Sequence, residues 1–306
     1  MQEKTKARGQ LDFKSQPHCV RDISNGLENV PVCLHESIND SASITSSFQY
    51  VTRVTCGPGV NVDFDRSMYP GCNCPDVCVV KTCQCIVRYE ENYDEQCRLL
   101  KMENSEGICL PIFECNSNCR CGLSCINRIS QQGLTFNLEV FDTGNRGLGV
   151  RTLVPILRYR FIAQYTGELI RYEEAKRRTA DIWGKARSNF LLVLREHVAG
   201  GSVLKTHIDA VRYGSVTRFF NHSCNANTVI FPVRHNSVVP KLCIFAARDI
   251  ESGEELTFSY GDTLSKHDSD NYSLEKDKFA RSRIKCLCED KKCVGFLPFE
   301  ASLYDQ

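Results

Sequence analysis

The sequence predicts a mainly β protein with short helices, braced in part by metal bound to cysteine sulfur. Three observations predict it. Nineteen cysteines occur in 306 residues, most of them in tight runs. The apolar segments after residue 134 are strand-length and bounded by polar or turn residues. One stretch, Tyr172–Ile182, stands out as a helix, with Glu173 four residues before Arg177 and Glu174 four before Arg178, the favourable orientation for helical ion pairs.

From the N-terminus, residues 1–47 are polar and rich in Ser, Asn and Gln, and read as a partly disordered arm. Residues 1–10 lack the apolar core of a signal peptide. Residues 48–134 are dominated by cysteine and poor in apolar side chains, so metal must supply much of their stability. The first run is Cys72, Cys74, Cys78, Cys83 and Cys85; the second is Cys115, Cys119, Cys121 and Cys125. Disulfides are the rival reading. An odd cysteine count and several Cys-x-Cys pairs, which strain disulfide geometry, argue against it. Zinc is the default soft ion for such thiolates. Nine thiolates fill three tetrahedral zinc sites if three sulfurs bridge and six are terminal. Such a cluster has no open position and is structural. A third group, Cys286, Cys288 and Cys293, needs one more ligand, and Cys224 is the candidate. The other six cysteines, Cys19, Cys33, Cys56, Cys97, Cys109 and Cys243, read as ordinary thiols.

From residue 135 the pattern is β. Phe136, Leu138 and Val140 alternate with Asn137 and Glu139, and apolar runs follow at residues 161–165, 190–194 and 242–247. Val216, Phe219 and Phe220 have helical spacing. Leu256, Phe258 and Tyr260 alternate with Thr257 and Ser259, which puts them on one strand face with Phe258 and Tyr260 roughly 7 Å apart. Residues 263–281 form a polar linker and 282–306 a terminal module. A net charge of +1 gives no global field for nucleic acid, and no apolar run approaches a membrane span. Composition does not separate cytosol from nucleus.

Taken singly, the remaining signals are weak. Gly147-Leu148-Gly149 fits a tight turn as well as a ligand's close approach. In order, however, Gly147-Leu148-Gly149, Tyr165-Thr166-Gly167-Glu168, Arg218-Phe-Phe-Asn221-His222-Ser223-Cys224 and Leu256-Thr-Phe258-Ser-Tyr260 resemble the SET-domain protein lysine methyltransferases. The nine-cysteine spacing is similar to pre-SET, and the last three cysteines to post-SET. The words Glu91-Asn92-Tyr93-Asp94 and Phe296-Leu297-Pro298-Phe299 resemble the SET portion of SET–mariner transposase fusions. No transposase half is expected in these residues, and nothing of its activity carries over.

The resemblance implies a SET-domain pseudoknot fold. A three-zinc pre-SET module (48–134) and a one-zinc post-SET module (282–306) would flank a catalytic domain at 135–262. It implies histone-lysine methylation on chromosomes in the nucleus with S-adenosyl-L-methionine as methyl donor. The partner is the histone H3 tail or another lysine-bearing protein, with its ninth-position lysine foremost and the thirty-sixth or fourth as alternatives. Tyr260 is implied as the catalytic tyrosine, Tyr165 as a channel wall and Phe258 as the residue that sets product. Gly147, Leu148, Gly149, Phe190, Arg218, Asn221 and His222 are implied to meet the cofactor. Departures from the family pattern are Leu148 for Trp, Phe190 for Tyr, Gln164 for Glu, Ser215 for Asn, Ala226 for Pro and Glu289 for Gly. Leu148, Phe190 and Ser215 lie near the cofactor motifs and raise the alternative of an inactive, zinc-stabilised chromatin-binding module. The ligand count predicts about four zincs per chain by native mass spectrometry; two or fewer would undo the assignment.

Overall fold

The computed structural model describes residues 19, 21–38, 44, 46–100, 111–182, 189–198, 201–261, 284–298 and 300–304. The linker expected at 263–281, the first part of the arm (1–18) and Cys109 lie outside these residues. Among the described residues the chain is mainly β, in small sheets. No helix among them is long and apolar enough to cross a membrane.

Three sheets share one design. Later segments pair antiparallel, and an earlier segment adds a short parallel strand at the edge. Leu138–Asp142 pairs with Leu148–Thr152, and Val32–Leu34 adds beside it. Val203–Asp209 lies between Leu191–His197 and Glu168–Ile170, with Thr55–Cys56 at the edge. Lys241–Ala246 lies between Phe161–Tyr165 and Thr228–Arg234, and Ile112–Phe113 adds to the latter. The cysteine-rich module is thereby joined to the later sheets by backbone pairing. A shared core seals that join: Tyr93, Leu99, Ile112 and Ile129 pack with Phe161, Phe231, Val233 and Phe245.

The reading of residues 1–47 as an arm is corrected over 21–38. Val32 and Leu34 are buried, and Ile23 joins them in the main core with Leu138, Val140 and Val150. Cys19 and Cys33, expected as ordinary thiols, are joined by a disulfide across Cα atoms 5.2 Å apart. Cys56 and Cys97 are free thiols, as is the buried Cys243. Gln49–Tyr50 pairs with Tyr213–Gly214, and Phe48 meets Phe219 edge-on at 5.7 Å. The Tyr50 hydroxyl donates to Glu28 Oε1 (2.9 Å) and accepts from the Val216 backbone (3.3 Å).

The helix Tyr172–Ile182 forms as expected, its first turn carrying Glu173 and Glu174, which suit the positive end of the helix dipole. Its pairs differ from expectation. Arg177 bonds Glu174 and Asp181 rather than Glu173. Arg178 bonds Glu174 but also reaches Glu168 (2.7 Å) and Asp209 (2.6 Å), tying the helix to the sheet. Arg178 is thereby packed against the sheet, while Arg177 stays exposed. The expected strand around 256–260 is shorter: Thr257–Phe258 alone pairs, in parallel, with Asn221–His222. Val216–Phe219 is a 3-10 turn.

Since Leu34 is packed among residues more than a hundred positions later, Leu34→Ala should destabilise the fold by about 2–4 kcal/mol. A thermal or urea unfolding midpoint equal to the parent's would show that the segment is dispensable.

Candidate active site and sulfur clusters

The pairing of Asn221–His222 with Thr257–Phe258 sets the site. Tyr260 N donates to His222 Nδ1 (3.1 Å) and Ser223 N to the Phe258 carbonyl (3.3 Å). His222 Nδ1 is thus an acceptor, which leaves the ring proton of the neutral form on Nε2, 3.4 Å from Cys224 Sγ. Burial lowers the His222 pKa to about 4, so the ring is neutral at pH 7.

Three rings follow one another: Tyr165 to Phe258 at 6.2 Å and Phe258 to Tyr260 at 5.0 Å between centroids. The expected shared strand face is not formed, since the strand ends at Phe258, but the Phe258 and Tyr260 rings still meet. Tyr165 and Phe258 are buried, and Tyr260 is 37% exposed at the surface end. Both hydroxyls donate to fixed backbone carbonyls, Tyr165 to Phe190 O (2.7 Å) and Tyr260 to Phe220 O (3.0 Å). Their remaining lone pairs can accept from a third group. Burial, then the Glu255 carboxylate, pushes Tyr260 up to about 12, and burial pushes Tyr165 up as well. Both phenols are neutral at physiological pH.

The glycine turn adjoins Asn221. Gly147 has φ +70°, a conformation that favours glycine. A Cβ on Gly149 would lie 2.6 Å from Thr143, 2.8 Å from Glu255 Oε1 and 3.1 Å from Asn221 Nδ2, so a larger residue would push these side chains out of place. Asn221 Nδ2 donates to Leu148 O (3.1 Å) and Glu255 Oε1 (2.9 Å), and Arg146 pairs with Glu255 Oε2 (2.6 Å). Glu255 and Arg146 were not among the expected site residues, although they directly precede the quoted Leu256–Tyr260 and Gly147–Gly149 stretches. Arg218 sits beneath this layer. It is buried with its guanidinium carbon 4.1 Å from both the Phe48 and Phe190 ring centroids, and its Nε donates to Ala210 O (3.0 Å). Burial lowers its pKa to about 10, and the group stays charged at pH 7. Phe48 was also missed, since nothing in a polar stretch marks one Phe as the face of an arginine 170 residues on.

The nine cysteines Cys72, Cys74, Cys78, Cys83, Cys85, Cys115, Cys119, Cys121 and Cys125 form one cluster. Three four-sulfur sets lie within 4.8 Å: Cys72, Cys78, Cys115 and Cys121; Cys72, Cys83, Cys85 and Cys115; Cys72, Cys74, Cys78 and Cys83. Cys72, Cys78, Cys83 and Cys115 recur between sets, so these sulfurs lie close enough to be shared between ions. Cys119 joins through Cys85 (3.5 Å), while Cys125 sits in the same buried cluster. Nine thiolates on three divalent ions leave about three negative charges. Arg128, buried beside them, donates Nε to Cys121 Sγ (3.4 Å), and the Asn116 and Asn127 backbones donate to Cys119 and Cys125. Cys224, Cys286, Cys288 and Cys293 form the separate set expected of the terminal module. The residues fit zinc in both places, and a sulfur-saturated zinc supplies rigidity rather than Lewis acidity.

Around the terminal set, Asn225 Nδ2 donates to Asp290 (3.1 Å) and Asn145 Nδ2 to Glu289 (3.0 Å). Glu289, where the family carries Gly, has φ +56°. A side chain there costs about 1 kcal/mol. Glu289→Gly should therefore slow loss of one zinc to a chelator without touching the other three, and an unchanged or faster release would show that the Asn145 bond outweighs the strain.

Comparison with known proteins agrees with this geometry. The SET domain family matches residues 147–261 and the Pre-SET motif residues 24–128. Histone-lysine N-methyltransferase SETMAR of Mus musculus is 39% identical over 287 residues, 93% of this chain and 91% of that protein. The crystal structure of the human SETMAR methyltransferase domain aligns with a TM-score of 0.75 at 36% identity, over 91% of this chain and 98% of that one. KRYPTONITE, crystallised with mCHH DNA, an H3(1-15) peptide and SAH, aligns at 0.69 and 27% identity, over 96% of this chain and 57% of that one. The crossing of Asn221–His222 with Thr257–Phe258, the two sulfur clusters and these relatives lead to one conclusion: the chain belongs to the SET-domain histone-lysine N-methyltransferases, in the branch that carries a pre-SET module.

Proposed function

We propose that the protein transfers methyl from S-adenosyl-L-methionine to a lysine of the histone H3 tail, on chromosomes in the nucleus. The observation that carries this is the Tyr165–Phe258–Tyr260 ring series ending on hydroxyls whose protons are already committed. The bound donor supplies a methyl group on a positively charged sulfur. The aromatic faces and the Glu255 carboxylate suit such a cation. Gly147, Leu148, Gly149, Asn221 and His222 would hold the donor, with Phe190 and Arg218 supporting from beneath.

The target amine must arrive neutral. A free lysine near ~10.4 is neutral about once in 2,500 at pH 7, a deficit of roughly 4–5 kcal/mol. Desolvation between rings favours the neutral form, and the proton leaves to solvent. Tyr260 and Tyr165, having donated to Phe220 O and Phe190 O, present lone pairs to the amine's N–H bonds. Holding those N–H bonds aims the nitrogen lone pair at the methyl, a positional gain of the entropic kind. Phe258 would set product: without a hydroxyl to hold water beside the amine, the slot has room for added methyls.

The ninth-position lysine is the foremost target, supported by the H3(1-15) peptide in the KRYPTONITE complex, which spans that position. The thirty-sixth and fourth are the alternatives. A second reading, a binding module without catalysis, rests on the departures Leu148, Phe190 and Ser215. Ser215 here bonds Gln164 O (3.1 Å) and Thr217 (2.9 Å), a structural use for its hydroxyl.

Labelled donor and H3 peptides with each candidate lysine replaced in turn test the proposal. Transfer is expected to vanish with one replacement, and Tyr260→Phe should lower kcat by about 100-fold or more. Undiminished transfer by that variant would exclude the role given to Tyr260. Phe258→Tyr should shift products from di- and trimethyl to monomethyl by mass spectrometry. Micromolar donor binding by calorimetry with no transfer to any H3 peptide would instead redirect the search to other lysine-bearing proteins.

A further inference from the structure

The antiparallel hairpin of Leu191–His197 and Val203–Asp209 carries an unfavourable feature. Arg195 and Lys205 are direct register partners, two like charges facing each other across the ladder. An anion between them removes the conflict, and the chain supplies one from its C-terminal tail. The Glu300 carboxylate pairs with Arg195 and with Lys205 Nζ (3.1 Å), at 10% side-chain exposure. Lys205 also donates to Ser302 Oγ (3.1 Å), and Ser302 Oγ donates to Glu300 (2.5 Å). Tyr172, at the start of the helix, donates its hydroxyl to Ser302 O (2.7 Å). Leu303, 4% exposed, packs with Ile170 and Ala175, and Leu191 and Val193 flank them. The other end of this tail meets the catalytic side. Pro298 sits so close to Gly261 that a Cβ there would lie 2.9 Å from the proline ring. Gly261 follows Tyr260, whereas the hairpin begins after Phe190, whose carbonyl receives the Tyr165 hydroxyl.

We propose that residues 300–304 clamp the C-terminal zinc module to this hairpin, with Glu300 as the positioning residue, so that the chain segments next to Tyr260 and Tyr165 are held at a fixed separation. The ionic part of the clamp exists because the hairpin places two cations opposite each other. The apolar part exists because Leu303 fills a notch between the helix and the sheet. The clamp itself stands on the contacts above; its effect on substrate rests on the methyltransferase reading.

The test uses the full zinc-loaded chain and hydrogen exchange. In Glu300→Ala, residues 284–298 should exchange about tenfold faster, while residues 72–125 keep the parent's protection. Leu303→Ala should act alike from the apolar side, and Glu300→Gln, which keeps an acceptor but no charge, should fall between. Exchange as slow as the parent's in both alanine variants overturns the clamp. An equal rise across residues 72–125 also overturns it, since that is general destabilisation. With H3 peptide as substrate, Glu300→Ala should raise KM about tenfold with kcat much less changed. Faster exchange at 284–298 with unchanged KM would overturn the coupling to substrate. A parent enzyme inactive on every H3 peptide would defeat the methyltransferase reading, and the exchange result would still decide the clamp.

Discussion

Two strands of two residues each, Asn221–His222 and Thr257–Phe258, run parallel where separate stretches of chain cross. So short a pair cannot hold itself in water. Its neighbours supply what it lacks. Asn227 accepts from Thr257 N (2.9 Å) and donates to Glu255 O (2.7 Å), and Thr228 Oγ1 donates to Thr257 O (2.8 Å). His222 receives Tyr260 N. On one side the strand continues into Cys224 and a four-sulfur set; on the other it follows a 3-10 turn capped by Tyr50 and packed by Phe48. The zinc and the N-terminal segment are thus two separate braces on one weak crossing. Tyr260 inherits its position from that crossing.

The cysteine clusters were legible because metal ligation constrains spacing and count together. Four sulfurs must meet within a few ångströms, so the vacancy beside Cys286, Cys288 and Cys293 pointed to Cys224 before any fold was known. The helix at Tyr172–Ile182 was legible because its charges repeat at helical spacing. The N-terminal strand was not. Val32–Leu34 is three residues long, too short for a period, and its pairing with Leu138–Asp142 is parallel and distant. Its burial comes wholly from tertiary contact, which local composition does not report. The same holds for Phe48 and Tyr50, whose partners Arg218 and Val216 lie far along the chain. Glu255 was not legible for another reason: its role comes from contacts with Asn221 and Arg146, 34 and 109 positions away.

Charge shapes both halves of the molecule. A nine-thiolate, three-zinc cluster holds surplus negative charge in a buried place, and Arg128 answers with Nε on sulfur and its other nitrogens on Cys115 O and Asn116 O. An uncompensated group there would cost several kcal/mol. The same logic runs in reverse at Arg218. No carboxylate pairs with it among the described ion pairs; two ring faces at 4.1 Å and one carbonyl do instead. Desolvated cation–π contacts of this kind contribute about 2 kcal/mol each, which is consistent with a guanidinium that stays charged though burial lowers its pKa.

That sandwich bears on the departures from the family pattern. Where the family pattern carries Tyr, this chain has Phe190 and so lacks a hydroxyl. Phe190 contributes two other things here: its carbonyl, which takes the Tyr165 proton, and its ring, which covers Arg218. Neither needs a phenol. Ser215 likewise keeps a hydroxyl on the carbonyl of Gln164, holding the 3-10 turn to the strand that ends at Tyr165. The substituted positions therefore still position the tyrosines. Under the proposed function, the interactions at risk are those Leu148 would make to the methyl donor, where the main chain is held by Asn221 while the side chain has changed. A cofactor grasped through the backbone of a glycine turn is the least sensitive to such a change, since its hydrogen-bonding groups do not depend on which side chain stands between the two glycines.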